Sequence, residues 1–159
     1  MKIKIISVGK IKNKHLNCVI NDYIQRINKF TKVSCIEVDD EPESAQLSVE
    51  NINQIKAKEA SRIIKYIEPK DYVVALVIEG KMINSVQLSE MITKLQNQAI
   101  SSIAFVIGGS NGLCQSVYQR ANFLLSFSPM TFAHNIAKLL LSEQIYRAFS
   151  IINNTKYHK

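Results

Sequence analysis

Tyr72-Val73-Val74-Ala75-Leu76-Val77-Ile78, then Ser85 to Gln98, then Ser102-Ile103-Ala104-Phe105-Val106-Ile107 is the stretch that decides the fold. The first and last segments are short, uninterrupted apolar runs rich in β-branched residues. Such runs suit strands covered on both faces. The segment between them carries apolar residues at helical spacing. A strand, a helix and a second buried strand in that order predict a parallel pair joined by a crossover.

The same alternation extends outward. Lys2–Val8 predicts a strand, Leu16–Phe30 a helix and Val33–Val38 a strand. Asp39–Ser48 reads as a loop. Val49–Ile67 predicts a helix whose outer face carries Glu50, Lys56, Lys58, Glu59, Arg62 and Lys65. After Ile107 come a glycine-rich turn, a short helix to about Ala121, a strand at Phe123–Phe127, a loop with Thr131 as N-cap, and a long helix at Ala133–Ile152. These elements predict one α/β domain over residues 1–159, a mostly parallel sheet flanked by helices.

Composition sets the class. The chain has 159 residues, 47% hydrophobic and 21% charged, as expected of an ordinary globular domain. No apolar run reaches the ~20 residues of a membrane span, and Met1–Lys10 lacks a signal-peptide pattern, so the expected location is the cytoplasm. Three scattered cysteines and three histidines show no ligand spacing, and no metal is expected. The net charge is +7. From Met91 onward Lys94, Arg120, Lys138, Arg147, Lys156 and Lys159 face one acid, Glu143. Lys10, Lys12 and Lys14 share one loop. This segregation fits a polyanionic partner, nucleic acid before membrane, although a solvated basic surface accounts for it equally.

Ligands of parallel sheets bind beyond the carboxyl ends of the strands. Three such ends are unusual here: Leu76 to Lys81, Gly108-Gly109-Ser110-Asn111-Gly112, and Ser126 to Thr131. The glycine turn is neither a dinucleotide fingerprint nor a triphosphate loop. The final helix is apolar almost all round, which predicts burial on more than one side, against the sheet and a second subunit. Glu143 and Arg147 stand at i,i+4, the spacing of a helix ion pair. The tail Tyr157-His158-Lys159 groups an aromatic, an imidazole and a cation.

Taken together, Val106 to Gly112, Leu125 to Phe132, Glu143 to Ala148 and Tyr157-His158-Lys159, with Val8-Gly9-Lys10 and Ile78-Glu79-Gly80-Lys81, resemble the RlmH family. These are ribosomal RNA large-subunit methyltransferases of the SPOUT superfamily. The resemblance runs from residue 1 to 159. It implies a C-terminal deep trefoil knot, a homodimer, and S-adenosylmethionine-dependent methylation of N3 of a pseudouridine in a 23S rRNA stem-loop of the ribosomal large subunit. It also implies a cofactor held by Leu76, Gly108 and the loop Phe127, Ser128, Pro129, Met130, Thr131 and Phe132. A ligand without phosphate would explain why the glycine turn fails the dinucleotide tests.

For the chemistry, Arg147 and Lys159 are the cations available to an anionic ring, and Tyr157 can stack on or hydrogen-bond the base. His158 is the candidate acceptor of the N3 proton. Lys138, Lys159 and Lys10 are expected at the RNA. The chain departs from the family where Phe132-Ala133-His134-Asn135 and Lys138 replace the usual Phe-Pro-His-Gln and arginine, and where Asn153-Asn154 replace a glycine. A SPOUT methyltransferase with another RNA target, and a non-catalytic RNA- or ribosome-binding paralogue, are the alternatives.

Overall fold

In a computed structural model, residues 1–42 and 48–158 are described. Part of the expected loop Asp39–Ser48 and the terminal Lys159 therefore lie outside the described residues. The elements run β1 (Lys2–Val8), α1 (Lys14–Ile27), β2 (Lys32–Val38), α2 (Val49–Ile64), β3 (Tyr72–Met82), α3 (Ser85–Asn97), β4 (Ser102–Ile107), α4 (Gln115–Arg120), β5 (Phe123–Ser126) and α5 (His134–Ile152).

All five strands form one parallel sheet in the order β2-β1-β4-β3-β5. The period-two alternation of each strand divides its side chains between two cores. Ile3, Ile5, Val74, Ile103, Phe105 and Ile107 pack toward α1, α3 and α5, against Ile27, Ile92, Leu141, Ile145 and Phe149. Ile6, Val8, Val73, Ala75, Ala104 and Val106 face Ala60, Ile63 and Val117 of α2 and α4. The helices thus cover both faces, and the two apolar runs of the deciding stretch become the inner strands β3 and β4.

Capping follows the sequence chemistry. Asn13, Ser48 and Asn84 accept from backbone amides at the starts of α1, α2 and α3. α5 departs from expectation. It is capped by Ala133 without a side-chain bond, not by Thr131. The hydroxyls before it serve the loop instead: Ser128 accepts from the Met130 amide, and Ser126 donates to the Ser128 carbonyl.

Two other expectations are corrected. Glu59 is not on an outer face; it is buried, and one carboxylate oxygen accepts from the Glu41 amide. β3 does not end at Ile78. Its pairing with β5 jumps from Leu76↔Leu125 to Lys81↔Leu125, so the chain leaves the strand and returns onto the same partner. Gly80 permits this return. A Cβ there would lie 2.7 Å from the Leu125 carbonyl carbon and 2.8 Å from that of Leu124, which only glycine tolerates. From β5 at the sheet edge, α5 then turns back to contact α1, α3, β1 and β4.

A polar staple closes the amino edge of the sheet. The Lys4 ammonium lies 2.8 Å from Asp71 and 2.9 Å from Glu68, and the buried Asp71 also accepts from the Ser102 hydroxyl and the Glu68 amide. Burial pushes the Asp71 carboxyl up, but Lys4, Ser102 and the amide together hold it below the usual aspartate range. The native state therefore binds fewer protons at Asp71 than the unfolded chain. Its contribution is complete above the unfolded value of ~4 and is lost as pH falls from there through the lower native value. Asp71→Asn is expected to lower the unfolding free energy by about 2–4 kcal/mol at neutral pH and to flatten the acid limb of stability, both measurable by urea unfolding across pH.

Candidate functional site

Because every strand is parallel, all the loops with unusual chemistry emerge at one edge. There they enclose a cleft of about 580 Å3, within the about 300–1,000 Å3 of small-molecule sites. Leu76, Val77, Ile78 and Glu79 form one wall, Gly108 to Leu113 a second, and Ser126 to Ala137 much of the third. Gly112 adopts φ 77°, the left-handed region open to glycine. A Cβ on Gly108 would lie 2.9 Å from the Gly112 carbonyl carbon, so this turn closes only with glycine.

Of the positions expected to hold a cofactor, Leu76, Gly108, Phe127, Ser128, Met130, Thr131 and Phe132 line this cleft together. Pro129 belongs to the same loop but is not among the lining residues. Asn111, within the expected glycine turn, also lines the cleft, as do Tyr118 and His134, which were not expected there. Tyr118 carried no motif signal, because its helix has six residues and too few turns to show a face. His134 starts α5, and its Nε2 would sit 3.1 Å from a Cβ on Gly9, the glycine that precedes Lys10. Lys10 is exposed and pairs with Asp39 at 3.2 Å, a contact of little energetic weight in solvent.

The expected catalytic residues gather elsewhere, around Glu143. Its Oε1 accepts from Arg147 Nη2 at 2.6 Å and Nε at 2.9 Å, and from the Tyr157 hydroxyl at 3.1 Å. The Arg147 guanidinium lies 4.8 Å from the Tyr157 ring centroid, and Tyr146 meets that ring edge-on at 4.6 Å. His158 Nδ1 is 3.5 Å from Arg147 Nη1. The Glu143 hydrogen bond holds the Arg147 guanidinium above its ordinary range. Burial, then Tyr23 and Glu143, pushes the Tyr157 phenol upward. Arg147, Tyr157 and His158 are therefore assembled, but as a neutralised ion pair with a stacked phenol and not as a free cation.

The tail is placed by a turn at Asn154. Asn154 has φ 52°, and asparagine is the residue after glycine that best tolerates this region. The Thr155 amide then bonds the Ser150 carbonyl at 2.9 Å and turns the tail back along α5. An asparagine where the resemblance led one to expect a glycine thus still makes the turn.

Lys138 is corrected. It is 3% exposed, with its ammonium 2.7 Å from Glu37 of β2. It lies on the inward face of α5, one turn before the buried Ser142, and offers no charge to a phosphate. Lys159, expected at the RNA, lies outside the described residues. Among the described residues no cluster of histidine, cysteine or acidic groups could hold a metal ion, and no helix is long and apolar enough to cross a membrane.

A parallel sheet with a loop-lined cleft at its carboxyl edge defines the class as an α/β domain with helices on both faces. A probable methyltransferase from Bordetella pertussis shares the fold (TM-score 0.53, 13% identity, 92% of this chain and 95% of that one). A probable methylase family protein from Haemophilus influenzae does too (TM-score 0.52, 15% identity, 99% and 70%). The chain belongs to the SPOUT methyltransferase family, whose profile, described as predicted SPOUT methyltransferase, matches residues 1–158. Proteins named Ribosomal RNA large subunit methyltransferase H from Ureaplasma parvum and Clostridium botulinum are 55% and 49% identical, each covering 100% of both chains.

The burial of Lys138 yields a prediction. Lys138→Met is expected to lower the unfolding free energy by about 1–3 kcal/mol by leaving Glu37 unpaired. Lys10→Met should stay within about 0.5 kcal/mol of the parent. Urea unfolding of both variants reads the difference.

Proposed function

We propose that this protein is an S-adenosylmethionine-dependent methyltransferase of the ribosomal large subunit, acting as a homodimer on N3 of a pseudouridine in 23S rRNA. The observation that carries the reading is the convergence of Leu76, Gly108 and the Phe127–Phe132 loop on one cleft. The full-length likeness to relatives named for large-subunit ribosomal RNA supports the substrate.

The cleft suits the cofactor. Its Leu76, Val77, Ile78, Met130 and Phe132 side chains offer apolar surface to an adenine and an aliphatic chain, and its glycine turn allows close backbone approach. When bound, S-adenosylmethionine supplies an electrophilic methyl group on a sulfonium. The chain's own task is then to orient a ring nitrogen, remove its proton and stabilise the anionic ring. Arg147 would face the ring carbonyls with its plane fixed by Glu143. Tyr157, pinned by Glu143 and Tyr23, would hold the base. His158, at the exposed end of the cluster, would accept the N3 proton. Lys10 and Lys159 would contact phosphates.

Distance along α5 supports the homodimer. His134 lines the cleft, whereas Arg147 stands 13 residues further on. At about 1.5 Å per residue this separates them by roughly 20 Å in one chain. A second copy can carry its tail cluster to the first copy's cleft, whose surroundings expose Ile78, Met130, Phe132 and Ile136. For the deep trefoil knot, support comes from the return of residues 79–82 onto β5 at Gly80 and from the path of α5 back across the sheet. Such a knot would be an exception to the rule against threaded chains.

Mass mapping of 23S rRNA nucleosides, with and without the protein, is expected to show one methylated pseudouridine that depends on it. Methylation of another RNA, or none, overturns the assignment. Composite sites are tested by mixing subunits. Gly108→Ala, which distorts the cleft, and Arg147→Ala should each be inactive as homodimers. Randomly exchanged dimers should recover roughly a quarter of wild-type activity, because half are heterodimers with one intact site. No recovery in verified heterodimers would place both halves of the site in one chain.

A further inference from the structure

Among the described residues lining the cleft, Glu79 is the one carboxylate, and no lysine or arginine joins it. It sits on the segment where β3 leaves Ile78 and before Gly80 returns the chain to β5. Tyr118 of α4 donates a 2.5 Å hydrogen bond to its Oε1 and lines the same cleft. That bond, and after it a bond from Glu79's own backbone amide, hold the Glu79 carboxyl below the usual glutamate range, with Lys56 a further, weaker influence. Burial, and then Glu79, pushes the Tyr118 phenol up to about 12, so it remains a donor throughout the neutral range. The wall of a largely apolar cleft therefore presents a negative charge held in place by Tyr118.

We infer that Glu79, positioned by Tyr118, makes the cleft charge-selective: it favours the sulfonium form of the methyl donor over its neutral thioether product. The inference rests on the cofactor reading above and extends it. The donor and its product share adenine, ribose and amino-acid groups. They differ by one methyl group and one positive charge. A contact to a shared group, the α-ammonium and ribose hydroxyls included, would help both equally, whereas a carboxylate acting at the sulfur helps only the sulfonium. Glu79 is exposed to solvent, so the effect is moderate. A unit charge about 6 Å away, across an effective dielectric of about 40–80, changes affinity by about three- to tenfold. Loss of that attraction after transfer would ease exit of the product.

Calorimetry on the full chain at low salt tests this with S-adenosylmethionine and S-adenosylhomocysteine as probes. Glu79→Gln is expected to weaken the sulfonium ligand about three- to tenfold and to leave the thioether within about twofold. Glu79→Lys should shift the ratio of the two affinities further in the same direction. In the wild type, raising the salt concentration should narrow the difference. Tyr118→Phe keeps the charge but frees the carboxylate, and should move the ratio less than Glu79→Gln does. Equal weakening of both ligands by Glu79→Gln, or an unchanged ratio across Glu, Gln and Lys, overturns the inference and leaves Glu79 as a clip between β3 and α4. A wild-type chain that binds neither ligand overturns the cofactor reading itself, and this inference with it.

Discussion

The rest of the molecule depends on the burial of β4. All six of its residues are buried, and both of its edges are hydrogen-bonded, to β1 on one side and β3 on the other. A strand with no free edge and no wet face has one available register, since a slip by one residue would exchange the two cores. Phe105 would then turn from α1, α3 and α5 toward α2 and α4, where Ala104 and Val106 now leave space only for smaller side chains. Register at β4 fixes the height at which Gly108 emerges. It therefore also fixes where the glycine turn stands relative to Leu76, its neighbour's partner at Ile107.

The two ends of the sheet divide the labour. The amino edge carries the Lys4–Asp71–Ser102 staple and the Arg120 bonds to the Glu68, Pro69 and Asp71 carbonyls, which leave its polar groups satisfied and its loops tight. The carboxyl edge keeps its loops open around a cleft. The polar staple holds one edge, where rigidity is harmless, and the glycines that only a missing Cβ allows lie at the other, where close approach is useful.

Most of the fold was legible because strands buried on both faces announce themselves as uninterrupted apolar runs. β1 and β4 fall at the expected residues, and the helices within a few. The extension of β3 was hidden because Glu79-Gly80-Lys81 carries the composition of a turn, and only the nearness of β5 makes it a strand. The cleft was legible as three strand ends in one parallel sheet. Tyr118 was not, since its role comes from α4 standing over β3. Lys138 misled for a simple reason. A lysine in a basic segment reads as surface, and nothing local to α5 reveals that Glu37, 101 residues earlier, waits beneath it.

Charge placement bears on how one small domain would serve the cationic donor and the polyanionic substrate proposed for it. The chain's net charge of +7 draws RNA toward the surface generally. Inside the cleft that same field would repel a sulfonium. Glu79 opposes it locally, and the exclusion of Lys138 into an ion pair with Glu37 removes a cation from the helix that forms the cleft's third wall. Around the tail, Glu143 tempers Arg147 in the same way, orienting the guanidinium while cancelling part of its reach. Lys138 and Arg147 thus each have their own carboxylate. Exposed lysines such as Lys2, Lys12 and Lys14 carry further positive charge, which solvent and salt screen and whose counterions a bound RNA would displace.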